Sequence, residues 1–112
     1  MLPKINRIKK KKDFETIFKN SKIFKNNLFI FRMARNNLGL NRFGFVVSKK
    51  VSNKAVVRNK IRRRLSEIIK AEINNIKNGT DLIIIALPGI EKKEFSEIKK
   101  SIEEALTKCL NL

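Results

Sequence analysis

Apolar residues in this chain recur with two spacings, and the spacing changes along its length. Phe14, Ile17 and Phe18 fall at i, i+3 and i+4, which predicts a short helix over 13–20. Asp13 at its start suits the positive end of the helix dipole. Residues 22–27 read as a connection or an early edge strand. From 28 to 35 the period is two: Phe29, Phe31 and Met33 share one face, Leu28, Ile30, Arg32 and Ala34 the other. Asn36 to Asn41, with Gly39, reads as a turn. A second strand follows over 42–49, with Phe43, Phe45 and Val47 opposite Arg42, Gly44, Val46 and Ser48. Two strands so close in sequence predict an antiparallel hairpin.

Helical spacing returns after a loop at 52–54. Ile61, Leu65, Ile68, Ile69, Ile73 and Ile76 form one stripe of a helix over 55–77, with Gly79 placed to cap its end. Residues 81–87 are almost wholly apolar, as in an interior strand covered on both faces. After Pro88-Gly89, a last helix over 91–110 puts Phe95, Ile98, Ile102, Ala105, Leu106 and Cys109 on one side. Cys109 reads there as a small core residue. The predicted fold is α+β: a two-layer α/β sandwich, a mostly antiparallel sheet with helices packed on it. Its length, 112 residues, suits a single domain over 1–112. Residues 1–12 form a basic arm, expected to stay flexible until something binds it.

Charge changes this picture most. The chain carries 27 Lys and Arg against 10 Asp and Glu, a net of +17. Residues 1–70 hold 21 basic and 3 acidic side chains, a net of +18; residues 71–112 are almost balanced. The imbalance predicts a polyanion partner on the first two thirds. Between Lys49 and Arg64 stand eight basic residues and no acid. Like charges packed this densely repel, so a plain solvated surface explains them poorly. The longest apolar run is far short of a membrane span. The basic N-terminus has no apolar stretch behind it, unlike a signal peptide. A single cysteine forbids an internal disulfide.

Catalytic chemistry is hard to assemble from these residues. There is no histidine to titrate near neutral pH. The carboxylates of the basic part, Asp13, Glu15 and Glu67, are scattered over two helices. No glycine pattern suits a phosphate-cradling loop. The informative stretch is Arg58 to Glu67. With Arg58 at zero and about 100° per residue, the apolar stripe runs from about 280° to about 20°. Arg58 and Arg62 lie at about 0° and about 40°, and Ser66 and Asn59 continue that border. Lys60, Arg63 and Arg64 point elsewhere. Arginines at the edge of a core suggest a ligand there, and their planar forks suit phosphate. On the residues alone, a ribosomal RNA-binding or ribosome-assembly protein remains an alternative.

The run FGFVVSKK followed by AVVRNKIRRRL resembles the signature of the bacterial ribonuclease P protein component family. The basic arm, KDFETIFKN, NNLFIFRM, DLIIIA and a closing amphipathic helix follow that family's order. The resemblance implies a fold like domain two of ribosomal protein S5. It implies a subunit that binds ribonuclease P RNA and the 5′ leader of precursor tRNA. The RNA subunit would cleave, forming the mature tRNA 5′ end. The protein would bind no cofactor of its own, the holoenzyme requiring Mg²⁺. A cytoplasmic protein with no membrane or small-molecule partner is expected. Arg58, Asn59, Lys60, Arg62 and Arg63 match the motif contacting the RNA subunit. Phe14, Phe18, Phe29, Phe31, Arg32, Ser48, Lys49 and Lys50 match the leader-binding cleft. Ser66, Arg32 and Lys60 depart from residues frequent in the family, and Lys60 lacks bidentate geometry.

Overall fold

A computed structural model describes residues 2–110, the Leu110 side chain excepted. The elements are helix α1 (Lys11–Lys19), strands β1 (Lys22–Lys25), β2 (Phe29–Arg35) and β3 (Arg42–Val46), helix α2 (Ala55–Glu72), strand β4 (Thr80–Ala86) and helix α3 (Phe95–Leu110). The α+β class follows as expected. β1 is the early edge strand foreshadowed at 22–27.

The sheet order is β1-β2-β4-β3. β1 pairs β2 and β2 pairs β4 antiparallel, while β3 pairs β4 in parallel. The expected hairpin between β2 and β3 therefore does not form, because β4 lies between them. β4 holds the most continuous apolar run, and Leu82, Ile83 and Ile84 are fully buried. A strand apolar on both sides belongs in the interior of a sheet. The 36–41 connection fixes it there: the Asn36 amide donates to the Gly79 carbonyl (2.7 Å). Asn41, itself buried, accepts from the Thr80 amide (3.1 Å) and donates to the Ile76 carbonyl (3.1 Å).

α2 and α3 cover one face. Ile61, Leu65, Ile68 and Ile69 of α2, with Ile98, Ile102, Ala105 and Leu106 of α3, pack on Phe29, Phe31, Met33, Phe43, Leu82 and Ile84. Each large side chain buried fully there stabilises the fold by about 1.5–3 kcal/mol. A smaller cluster of Ile8, Ile17 and Ile83, joined by Phe14, Ala34, Val46 and Ile85, lies on the other face under α1.

Three local expectations change. α2 ends at Glu72, a 3-10 turn follows over Ile73–Asn75, and Ile76 is buried beyond it. Gly79, at φ 84°, serves the turn into β4 and does not cap the helix. α3 begins at Phe95, after a separate 3-10 turn over Ile90–Lys92. The basic arm is docked as far as it is described: Leu2 and Ile8 are buried, and Arg7 bridges Phe43 on the outer edge of β3. Two apolar anchors outweigh its charge. Lys11 and Lys12 open α1, and Met1 lies outside the described residues.

Candidate nucleic-acid interface

The start of α2 gathers the signature residues. Ser48 and Ser52 turn the approaching chain, their hydroxyls accepting from the amides of Lys50 (3.3 Å) and Lys54 (3.2 Å). The Lys54 carbonyl accepts from the amides of Val57 and Arg58, opening the helix. Arg58 then folds back and donates to the Ser52 carbonyl (3.0 Å). Arg62 donates to Asn59 Oδ1 (2.6 Å) and to the Val47 carbonyl (3.3 Å). Both arginines are half-buried at the helix border, where the angular count put them. Lys60 and Arg63 are exposed, as are Ser48, Lys49 and Lys50 in the preceding turn.

Electrostatically this surface is uncompensated. The ion pairs among the described residues are Arg42–Asp13, Arg42–Asp81 and Lys93–Glu97. None involves a basic residue between Lys49 and Arg64. Arg58 and Arg62 spend part of their donor sets on neutral oxygens and keep their charge free for a partner. The first turn of α2 carries no acid, so nothing opposes the positive helix end.

Beside this surface a cleft of about 160 Å³ opens where the N-terminal segment, α1, β3 and α2 meet. Arg7, Phe14, Gly44, Phe45, Arg62 and Ser66 are among the residues that line it. Gly44 makes room for Phe14: a Cβ there would lie 2.8 Å from the Phe14 ring and push the ring aside. Phe14 is thus half cleft wall and half core.

At the other end of α1, Phe18 is 39% exposed, and the Arg32 guanidinium carbon stands 4.9 Å from its ring centre. Arg32 also donates to the Phe18 carbonyl (3.1 Å) and Ser21 Oγ (3.4 Å). Exposed Ile23 pairs with Arg32 across β1 and β2. Stacked planar and cationic groups at a surface suit unpaired bases.

Phe29 and Phe31 are not part of any such surface. Both are fully buried on the opposite face, stacked at 4.8 Å between centroids beneath α2 and α3. Their place in the cleft is corrected: strand alternation separates them from Arg32, and the neighbours that share its face are Ile30 and Ala34. Sequence reading also missed a half-buried network in which Arg42 grips Asp81 with two bonds (2.9 and 2.7 Å) and Asp13 with a third (3.2 Å). Asp81 holds the Arg42 pKa above its ordinary value, with Asp13 assisting against desolvation. The signal available was two isolated acids in or beside a basic sequence. Cys109 is half-buried, and burial pushes its thiol pKa up against the opposing pull of Lys22 and Lys108.

Among the described residues, no group of three or more His, Cys, Asp or Glu could hold a metal ion. No helix among them is long and apolar enough to cross a membrane.

Known proteins resemble this chain in sequence and in overall fold. The family model described as Ribonuclease P matches residues 2–110. A ribonuclease P protein component from Thermoanaerobacter sp. (strain X514) is 38% identical over 108 residues, covering 96% of this chain and 92% of the relative. One from Clostridium kluyveri is 37% identical over 107 residues, covering 94% and 95%. The structure of the Staphylococcus aureus RNase P protein superposes with a TM-score of 0.85 at 34% identity, covering 91% of this chain and 93% of that one. That of the Thermotoga maritima RNase P protein gives 0.82 at 27% identity, covering 91% and 96%.

Proposed function

This chain belongs to the ribonuclease P protein family and is a bacterial ribonuclease P protein subunit; from that premise we propose how its surface divides the work of tRNA processing. The start of α2, with Arg58, Asn59, Lys60, Arg62 and Arg63, binds the ribonuclease P RNA. The cleft beside it takes the 5′ leader of precursor tRNA. Phe14 lines that cleft, the exposed turn of Ser48, Lys49 and Lys50 contacts the leader phosphates, and Phe18 with Arg32 forms a stacking platform further along α1. The protein works in the cytoplasm and adds affinity, while bond cleavage belongs to the RNA subunit and the Mg²⁺ it requires.

One observation carries this division most: among the described residues the basic run from Lys49 to Arg64 has no acidic partner, beside a cleft with an aromatic wall. Phosphates supply the missing charge, and their counterions are released on binding.

The test is cleavage of a precursor tRNA by a bacterial ribonuclease P RNA at low Mg²⁺, with and without the protein, beside a protein-alone control. The expected result is cleavage at the mature 5′ end only when both are present. No stimulation, with folded protein and an RNA active at high Mg²⁺, returns the ribosomal RNA-binding alternative.

A further inference from the structure

α1 is a weakly anchored element in an important place. It is nine residues long and buries only Ile17. A helix of that length is marginal alone in water. Yet it presents Phe14 to the cleft and Phe18 to the surface. Contacts at its two ends supply what its apolar face does not.

At the N-terminal end, Asp13 Oδ2 accepts from Arg42 Nη1 (3.2 Å). Arg42 is held in turn by Asp81, whose side chain is only 5% exposed. Asn36 Nδ2 donates to Asp81 Oδ1 as well (2.7 Å). This chain of bonds runs from α1 through β3 to β4, the most buried strand. At the C-terminal end, Arg32 on β2 donates to the Phe18 carbonyl, where a cation favours the negative end of the helix. Two arginines on different strands thus hold the two ends of one short helix.

We propose that the Asp13–Arg42–Asp81 network is a latch that fixes α1 on the sheet and thereby sets the leader-binding groove. Asp13 and Arg42 are positioning residues and touch no RNA. This inference rests on the leader reading above and adds its structural control.

Asp13→Asn tests it, because it removes the charge that pairs α1 with Arg42 and leaves the Arg42–Asp81 fork intact. Electrostatics alone predicts the opposite sign: removing an anion from a basic surface tightens RNA binding. Two measurements are made. The first is amide hydrogen exchange of the free full-length protein. Residues 14–19 should exchange faster in Asp13→Asn than in the parent, with β4 and α2 unchanged, and Asp13→Glu should restore protection. The second is affinity of the assembled protein–RNA holoenzyme for precursor tRNA with a leader and for the same tRNA without one. Asp13→Asn should lower the gain due to the leader about fivefold, and leave leaderless binding unchanged. Unchanged exchange in α1 overturns the latch. Faster exchange with an intact or larger leader gain overturns its control of the groove. If the parent protein itself shows no leader gain, the leader reading fails, and the latch stands or falls on hydrogen exchange alone.

Discussion

At the scale of residues, the basic side chains near the start of α2 divide by what they touch. Arg62 is bonded to Asn59 and to the Val47 carbonyl, so its truncation disturbs the protein as well as any RNA contact. Lys60 and Arg63 are exposed and pair with no acid among the described residues. Lys60→Ala and Arg63→Ala should each weaken binding to ribonuclease P RNA and lower the slope of log affinity against log salt by about one. Thermal melting should stay unchanged, since surface substitutions of this kind usually shift stability by within about 0.5 kcal/mol. Filter binding over a salt series checks the first, and a melting curve the second. The angular count placed Arg58 and Arg62 at the helix border and Lys60 and Arg63 away from it, as observed, because helix geometry alone decides which residues lie at the border of an apolar stripe. It could not show that Arg58 and Arg62 would be partly occupied by backbone carbonyls, since those come from residues 47 and 52.

At the scale of elements, α1 and β3 fit because one position lacks a side chain. The Phe14 ring occupies the space that a Cβ on Gly44 would fill. Gly44→Ala forces that ring away from the strand. The expected cost is about 1 kcal/mol, at the low end for overpacking, because a ring can swing where backbone cannot. Pairing it with Phe14→Leu should return part of the loss. Urea denaturation of the single and double variants measures both. Element type was legible for the three α-helices and for β2, β3 and β4, because each carries its own period, whereas the short β1 left a connection and an edge strand equally open. Element ends were less so. The stripe of α2 continues in register to Ile73 and Ile76, yet the helix stops at Glu72. Ile76 is buried all the same, through a 3-10 turn that the spacing did not distinguish from further helix.

At the scale of the whole molecule, parallel pairing of β3 with β4 puts the start of α2 beyond the Val46–Ile85 end of the sheet. Thr80 lies at the opposite end of β4, and Lys22, Lys77 and Cys109 line a pocket beside it. The extents are 36 × 28 × 24 Å, greater than the roughly 8–10 Å over which physiological salt screens charge. Lys77→Ala and Lys108→Ala should therefore leave the salt slope for ribonuclease P RNA as it is in the parent. A loss equal to that of Lys60→Ala would show that the RNA wraps the far end too. By itself the sequence determined the class of fold, the basic face and the family, because these depend on local period, on charge count and on a contiguous signature. Only the tertiary structure decided that β4 separates β2 from β3, that Phe29 and Phe31 are core, and that Arg42 joins Asp13 to Asp81. Each of those depends on residues far apart in the chain competing for the same interior, a contest that no local pattern records.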